Sequence, residues 1–168
     1  MSRNFVKAFL NPKSLTARTF ANPAVLGKPA RYNEPSMRRL ELPAANGHGT
    51  ATAIATAYGE LARGGQRLNL DSSVMSEVAE AASDPTEGRH DLVLLTDTRF
   101  SLGYCKPWAG FEFGSEMSFG TPGAGGSLGF GDPAHKLGFA YVMNRLDYFP
   151  WNDPREHELR KAVAECVR

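Results

Sequence analysis

The sequence predicts an α+β fold, in which helices pack against an antiparallel sheet. Residues 50–63 carry apolar side chains at helical spacing. After residue 90, short apolar runs alternate with Gly, Pro and Asp, as in a series of strands and turns. Another helix, with a clear capping signal, begins near residue 153. With 168 residues and 42% hydrophobic content, the chain is large enough to bury a core of its own.

Residues 1–45 are predicted to form a basic, Pro-rich arm of irregular structure. Prolines at positions 12, 23, 29, 35 and 43 argue against any helix or sheet between residues 11 and 47. The first 40 residues hold eight Lys and Arg side chains against one acid, Glu34, although the whole chain has a net charge of only +1. Because these bases are scattered and lack interleaved aromatic residues, no nucleic-acid binding is predicted. A solvated basic segment lying over an acidic body is the favoured interpretation.

No targeting or membrane-spanning segment is predicted. No apolar run approaches the roughly 18 residues that a membrane span needs. Lys7 interrupts the only apolar stretch near the N-terminus, which argues against a secretory signal. The absence of acids before Glu34 is a feature of organellar transit peptides, but the helical turn at 4–10 is short. Cys105 and Cys166 are expected to be free thiols, which favours a reducing, cytoplasmic compartment.

Two helices are predicted in the middle of the chain. The first, 50–63, places four apolar side chains on one face and ends at Gly64 and Gly65: Ile54, Ala57, Tyr58 and Leu61. The second, 72–82, is capped by Asp71 or Ser72 and ended by Pro85. Its expected buried residues are Val74, Val78, and Ala81 or Ala82.

Five strands are predicted after residue 90, at 92–95, 100–105, 111–113, 127–130 and 137–143. The last is almost wholly apolar and is expected to be buried on both faces, with 130–136 as the hairpin connection before it. The C-terminal helix is predicted to start with Asp153 as N-cap, Pro154 at the first position and Glu156 completing a capping box. Its expected buried stripe is Leu159, Ala162, Val163 and Cys166.

Residues 125–129 match G-x-S-x-G, the nucleophile elbow of α/β hydrolases, with Ser127 as the serine. Asp147 or Asp153 and then His157 follow in the order of a Ser–acid–His triad. An elbow requires a helix directly after the serine, whereas GFGDP follows here and cannot start a long helix. An esterase of this type that uses Ser127 is therefore the less favoured hypothesis.

No metal site or cofactor is predicted. The four histidines lack the H-x-x-x-H and H-E-x-x-H spacings that bind zinc: His48, His90, His135 and His157. His48, placed between two glycines beside a helix start, is expected to hydrogen-bond the turn that holds it.

Four segments in fixed order identify a family resemblance: NGHGT at 46–50, FSLGY at 100–104, FGTPGAGGSLGFGDP at 119–133 and LGFAYVMNR at 137–145. Together they resemble the C-terminal half of serine β-lactamase-related hydrolases, the class C β-lactamases and penicillin-binding-protein-like esterases. The resemblance implies that residues 46–168 form the C-terminal part of a β-lactamase/transpeptidase-like fold.

This family resemblance also implies serine acyl transfer from an ester or a lactam. A serine in an S-x-x-K motif attacks the carbonyl, and a third motif, K-T-G or H-x-G, lies on a strand beside the pocket. Thr121, Pro122 and Gly123 stand at that third position, and the backbone N–H of Ala124 is the implied oxyanion donor. Gly125 and Gly126 would let the substrate approach the backbone closely.

The sequence departs from the family pattern at the residues that perform the chemistry. No serine has Lys three positions later, no Tyr begins a Y-x-N motif, and Thr121 stands where the family has Lys or His. We therefore expect the chain to be inactive alone, either as a fragment whose nucleophile lies before residue 1 or as a degenerate relative. The alternative is a non-catalytic interaction module of the same fold. A half-domain exposes surface that its missing half would cover, so self-association is expected of a fragment, whereas a well-folded monomer would favour a self-sufficient module.

Overall fold

The computed structural model describes residues 2–24, 29–81 and 83–167. The chain divides into two compact units. The first comprises Met1–Gly49 and His90–Asp97, and the second comprises Thr50–Arg89 and Thr98–Arg168.

The first unit contains short helices, although the sequence predicts a helical turn only at 4–10 and no helix between residues 11 and 47. They are α1 (Arg3–Leu10), α2 (Leu15–Phe20), α3 (Pro35–Arg38) and a 3₁₀ helix at Pro29–Asn33. The prediction of an arm without helices was wrong because the prolines lie where helices tolerate them. Pro12 falls between α1 and α2, and Pro35 is the first residue of α3. Residues 25–28, part of the predicted arm, lie outside the described residues.

His48 has the structural role expected of it. Its Nδ1 hydrogen-bonds the carbonyl of Asn46 and its Nε2 the carbonyl of Tyr32, both at 3.0 Å. The ring therefore links the backbone just before residue 50 to the end of the 3₁₀ helix.

The predicted strand at 92–95 is a turn. It joins β1 (His90–Asp91) to β2 (Thr96–Asp97), which pair antiparallel. The Asp91 carboxylate accepts hydrogen bonds from the backbone N–H groups of Val93 (2.8 Å) and Leu94 (2.7 Å), an Asx turn. This local side-chain bond competes successfully with the apolar pattern, which by itself favours a strand.

The second unit is built on a five-stranded antiparallel meander in the order β3-β4-β5-β6-β7. Its strands are β3 (Phe100–Ser101), β4 (Tyr104–Cys105), β5 (Phe119–Gly123), β6 (Ser127–Asp132) and β7 (Leu137–Tyr141). The predicted strands at 127–130 and 137–143 are confirmed as β6 and β7, and the connection between them is the expected hairpin turn.

Three strand predictions need correction. The predicted strand 100–105 is the hairpin β3–β4, because Leu102 and Gly103 turn the chain with φ of 47° and 83°. Residues 111–113 pair only through a single bridge from Trp108 to Phe111, although Phe111 and Phe113 are buried. Within β7, only Phe139 is fully buried, so this strand is half-buried rather than enclosed on both faces.

The helices of the second unit are α4 (Ala51–Ala62), α5 (Ser72–Ala79), α6 (Pro154–Cys166) and a 3₁₀ turn at Gln66–Leu68. All three predicted helices are confirmed. The predicted burial in α5 was wrong in part, since Val74 is exposed while Met75, Val78 and Ala79 are buried. Ala81 lies beyond the helix and is exposed, and Ala82 lies outside the described residues.

α6 begins at Asp153 and Pro154 as predicted, but the Glu156 carboxylate binds Arg160 rather than completing a capping box, and the helix buries a different face. Asp153 caps it by accepting from the N–H of Arg155 at 3.0 Å. Of the predicted stripe, Val163 is half-buried, whereas three members are exposed: Leu159, Ala162 and Cys166. The buried face instead carries an ion pair, in which Arg160 Nε donates to Glu156 at 3.0 Å while its guanidinium lies 5.1 Å from the Phe111 ring centre. Apolar spacing did not reveal this face because its buried residues are charged.

Small residues bring α4 directly onto β6 and β7. A Cβ at Gly138 would lie 2.6 Å from the Cα of Gly59, and one at Gly129 would lie 2.8 Å from Ile54 Cγ2. These contacts hold the sheet against α4, while aromatic side chains fill the cores: Phe111, Phe113, Phe119, Phe130 and Phe139.

Candidate active site

The glycine-rich segment forms a tight hairpin between β5 and β6. Gly123 pairs with Ser127 across the ladder, and the N–H of Gly126 donates to the carbonyl of Gly123 at 3.2 Å. Gly125 and Gly126 have φ of 86° and 108°, a region that other residues adopt only with strain. The three-residue loop 124–126 thus requires these glycines for its backbone conformation.

The edge of β5 that faces β4 is open beyond Gly120. β4 contributes a single pair to β5, Cys105 with Gly120, whereas β6 pairs with every residue of 119–123. Thr121 and Ala124 are exposed, and Pro122 and Gly123 are half-buried. The backbone at 121–124 is therefore accessible along this edge.

Ala124 presents an available donor at the end of this edge. Within the described parts of the chain, its N–H donates no hydrogen bond. A backbone N–H on a rigid turn is the kind of group that stabilises a developing oxyanion, because no reorganisation is needed when the charge forms.

The loop is anchored from the C-terminal helix. The carbonyl of Gly125 accepts from the N–H of Asp147 and from Arg155 Nη2, both at 3.1 Å. Arg155 in turn forms an ion pair with Asp153, through an Nε–Oδ1 bond of 2.8 Å and an Nη2–Oδ2 bond of 2.5 Å. The Arg155 guanidinium holds the pKa of the buried Asp153 carboxyl below its ordinary value. Hydrogen bonding to Asp153 also raises the pKa of Arg155.

Gly125 and Gly126 pack against the protein itself. A Cβ at Gly126 would lie 2.8 Å from Asp153 Cγ, and one at Gly125 would lie 2.6 Å from Leu146 Cδ2. Both glycines are buried, so the side on which a Cβ would stand is filled by these residues. The family resemblance implies that both glycines let the substrate approach the backbone. In the structure, close packing beneath the loop also requires glycine at both positions.

The geometry around Ser127 is not that of a nucleophile elbow. Ser127 is the first residue of β6, so a strand follows it where an elbow requires a helix. His157 Nδ1 lies 3.1 Å from Arg160 Nη2, and the Asp147 carboxylate accepts from the N–H of Tyr148. The predicted triad order is present in the sequence, but the local fold that would activate the serine is not.

An aromatic group adjoins β5. Tyr58 of α4 lies near Tyr104 and Phe119, with ring centres 6.2 Å from each. Burial raises the pKa of the Tyr58 hydroxyl, and a hydrogen bond with the Thr121 side chain partly offsets that rise. A tyrosine with a raised pKa is a donor rather than a base at neutral pH. The helical spacing predicts only that Tyr58 lies on one face of α4, since nothing in that spacing relates Tyr58 to Thr121.

Cys105, the β4 partner of β5, does not replace the serine as a nucleophile. Its thiol is buried, and desolvation raises its pKa to about 12. Since the thiolate is the reactive form, Cys105 is inert at neutral pH.

Residues 2–24, 29–81 and 83–167 contain no group of three or more His, Cys, Asp or Glu side chains arranged to hold a metal ion. Over the same ranges, no helix has the length and apolar character needed to cross a membrane.

Comparison with known proteins identifies relatives of this arrangement. The family model described as Beta-lactamase matches residues 10–164. The protein "Esterase/beta-lactamase LipL" of Mycobacterium tuberculosis (strain ATCC 25618 / H37Rv) is 38% identical over 118 residues, which are 70% of this chain and 27% of that protein. The chain thus spans about a quarter of that relative's length.

Two solved structures are similar in fold and sequence. A family VIII carboxylesterase superposes with a TM-score of 0.71 and 33% identity, over 80% of this chain and 36% of that one. A penicillin-binding protein homologue from Caulobacter crescentus gives a TM-score of 0.69 and 31% identity, over 81% of this chain and 39% of that one. Both similarities confirm the predicted α+β fold of the β-lactamase/transpeptidase type.

Proposed function

The chain belongs to the β-lactamase family of serine hydrolases, and on this premise we propose that it supplies the third-motif strand and the oxyanion-binding turn of an acyl-transfer site. The substrate would be a small ester or a lactam. In that reaction a serine oxygen bonds to the carbonyl carbon, and the C–O or C–N bond to the leaving group then breaks. Water releases the acyl group in a second step.

The observation that carries this proposal is the open edge of β5, which ends at the available N–H of Ala124. The carbonyl oxygen of a bound substrate would accept from this N–H as negative charge develops on it. The anchoring of Gly125 by Asp147 and Arg155 supports the proposal, because a donor on a fixed turn stabilises the transition state without reorganisation. Losing one such donor typically lowers kcat by about 10²–10³-fold.

The nucleophile and base do not belong to these 168 residues, since S-x-x-K and Y-x-N are absent from the sequence. We therefore propose that the chain alone turns over neither esters nor lactams. The test is hydrolysis of p-nitrophenyl butyrate and nitrocefin by the purified chain, with the Ser127→Ala variant as the matched control. Turnover that disappears in Ser127→Ala would overturn the proposal and revive Ser127 as the nucleophile.

A chimaera tests the contribution of this chain directly. The part of the family VIII carboxylesterase that precedes the region matched here would be joined to this chain, and ester hydrolysis measured. We expect Ala124→Pro, which removes the N–H, to lower kcat by about 10²-fold with KM little changed. Ala124→Ser keeps the N–H and is the matched control. Equal activity in the two variants would show that Ala124 is not the donor.

The second candidate is the non-catalytic interaction module, which the neutral Thr121 favours. Thr121 carries neither the positive charge of Lys nor the imidazole of His. In the same chimaera, Thr121→His should raise kcat if the site remains catalytically competent. A chimaera that binds a substrate analogue but is silent with either residue would favour the module.

Two further predictions remain open. The domain boundary near residue 46 stays a prediction, since the second compact unit begins at Thr50 whereas the family match begins at residue 10.

Self-association also stays a prediction. Among the strands of the described residues, β7 lies at the sheet edge and pairs with β6 alone, and it has no proline or charge between Leu137 and Tyr141. Size-exclusion chromatography with light scattering tests it, and a concentration-independent monomer would contradict it.

A further inference from the structure

The first unit carries a compact pair of helices, α1 and α2, at the start of the chain. The hydroxyl groups of Ser2 and Ser14 cap the two helices, and the Ser14 hydroxyl also donates to the carbonyl of Ala8 at 2.6 Å. Phe5, Phe9 and Phe20 pack together, with ring centres 5.8–6.0 Å apart. These contacts define the geometry of the pair, so its outer surface is a defined arrangement of side chains.

That outer surface is rich in large apolar side chains exposed to solvent. We name it the α1–α2 surface, and its apolar members are Val6, Phe9, Leu10, Leu15 and Phe20. Leu10 is the most exposed, at 75%, and the others are 41–49% exposed. Exposed apolar side chains are ordinary when scattered, but five within 15 residues of one helical pair indicate an interaction surface.

The same surface is basic. Arg3, Lys7, Lys13 and Arg18 are exposed, and residues 2–24 contain no acid. None of these four cations forms an ion pair within the described ranges.

Basic and apolar side chains alternate on one face of α1. Arg3, Val6, Lys7 and Leu10 follow the spacing i, i+3, i+4 and i+7, so they line one side of the helix. Phe5 and Phe9 lie towards α2 instead. A face of this kind can bury its apolar side chains in a lipid layer while the long Lys and Arg side chains extend to the headgroups.

From this arrangement we propose that the α1–α2 surface binds the surface of an anionic lipid membrane, with its helices lying along the interface. Anionic headgroups complement the four cations, and the acyl boundary accepts the exposed Leu, Val and Phe side chains. Nucleic acid would complement only the positive charge of this surface, because contacts with phosphates would leave the apolar side chains of Val6 and Leu10 in water. The proposal is independent of the acyl-transfer site, since it rests on residues 3–20.

Vesicle sedimentation of the full chain tests the proposal. Vesicles of phosphatidylcholine alone are compared with vesicles that also contain phosphatidylserine, at low and at high salt. We expect binding to the phosphatidylserine vesicles that weakens as salt rises. Absence of binding, or equal binding to both kinds of vesicle, would overturn the proposal.

Matched variants locate the surface. The double variant Lys7→Glu/Arg18→Glu should weaken the binding to phosphatidylserine vesicles about 25-fold or more, since each basic side chain contributes about fivefold. Leu10→Ser should weaken it as well. The controls are Lys161→Glu and Leu159→Ser on α6, because Lys161 is also exposed and Leu159 is 47% exposed. Circular dichroism checks that every variant keeps its helices.

Two results would overturn the assignment of this surface. The first is that the α6 controls lose as much binding as the α1–α2 variants. The second is that duplex DNA binds the chain and the Leu10→Ser variant equally well and displaces the vesicles, which would identify a purely electrostatic nucleic-acid site instead.

Discussion

The turns that join β5 to β6 and β6 to β7 are each held by a buried aspartate, but the two aspartates bind differently. Asp153 lies at the start of α6 and reaches the first turn through Arg155, which donates to the carbonyl of Gly125. Asp132 is the last residue of β6 and binds its neighbours directly. It accepts from the N–H and hydroxyl of Ser115, from the N–H of Ala134 and from His135.

The two turns differ in whether the residues that support them belong to a distant helix or to the same region of the sheet. The β6–β7 turn is stabilised by residues close to it in the fold, and its carboxylate is surrounded mainly by neutral donors. The β5–β6 turn carries the candidate oxyanion donor and depends on an ion pair from the C-terminal helix. Arg155 stays charged at any accessible pH, so the ion pair lasts as long as Asp153 is ionised, and the hydrogen bonds from Arg155 hold the pKa of Asp153 below its ordinary value. The charge of Asp132 is maintained by hydrogen bonds from Ser115 and His135 instead.

The largest expected effect is that of Asp132→Ala. It would leave several donors of Ser115, Ala134 and His135 without their acceptor, and should lower the free energy of unfolding by about 4 kcal/mol. Urea denaturation followed by circular dichroism measures it. Asp132→Asn, which keeps the shape and one acceptor oxygen, is the control and should cost less. A loss below about 1 kcal/mol in Asp132→Ala would show that the second turn does not depend on its aspartate.

Low pH separates the charge of Asp132 from its shape. Burial would raise the pKa of this carboxyl, but hydrogen bonds from Ser115 and His135 outweigh it and hold the pKa below its ordinary value. Its contribution to stability is thus present above the ordinary carboxyl pKa and is lost as pH falls through the lowered one. The stability difference between the wild type and Asp132→Asn should shrink over that range. A stability difference that stays constant over this pH range would show that Asp132 is not ionised in the folded protein.

Lys106 is a buried charge that has no ion pair among the described residues. Its ammonium donates to the carbonyls of Val78 (2.8 Å) and Met117 (3.2 Å), and burial, with Arg99 nearby, lowers its pKa to about 8. Since the unfolded chain holds this proton up to about pH 10.5, the free energy of unfolding should rise by up to about 3 kcal/mol between pH 8 and 10.5. Lys106→Met should remove that rise. The same slope in both proteins would assign the effect to another group.

A smaller effect is expected for Asp153→Ala, about 1–2 kcal/mol, from the lost helix cap. Amide hydrogen exchange should also speed up at Gly126 and Asp147, because Arg155 no longer holds the turn from α6. Asp153→Asn keeps a capping oxygen but loses the ion pair, so it should spare α6 and still loosen the turn. Unchanged exchange in both variants would show that the β5–β6 turn is held by its own backbone.

The smallest effect is expected for Ser127→Ala. Ser127 is half-buried at the start of β6 and forms no side-chain hydrogen bond among those found in residues 2–24, 29–81 and 83–167. Its substitution should change the free energy of unfolding by less than about 0.5 kcal/mol. A loss above about 1 kcal/mol would assign the hydroxyl a structural partner in the turn.

The elements that the sequence predicts well are those with local signals. α4 has apolar side chains at helical spacing, α6 starts at the recognisable cap Asp153, and β6 and β7 are apolar runs bounded by turn residues. The predictions at 92–95 and 100–105 failed because side-chain bonds of Asp91 and the turn at Leu102 interrupt apolar runs. β5, FGTPG, has no strand pattern of its own, and its place follows only from the family resemblance.

The order of residues was enough to predict the starts of α4, α5 and α6, the β6–β7 hairpin and the resemblance to the β-lactamase family, because caps, turns and motifs depend on residues close together in the chain. Three contacts could be seen only in the tertiary structure. Arg155 donates to the carbonyl of Gly125, the Tyr58 hydroxyl hydrogen-bonds the Thr121 side chain, and the buried face of α6 carries Glu156 and Arg160. The reason is physical. These groups are polar, and a polar side chain can be buried only where its partner's position is known, which the order of residues along the chain does not state.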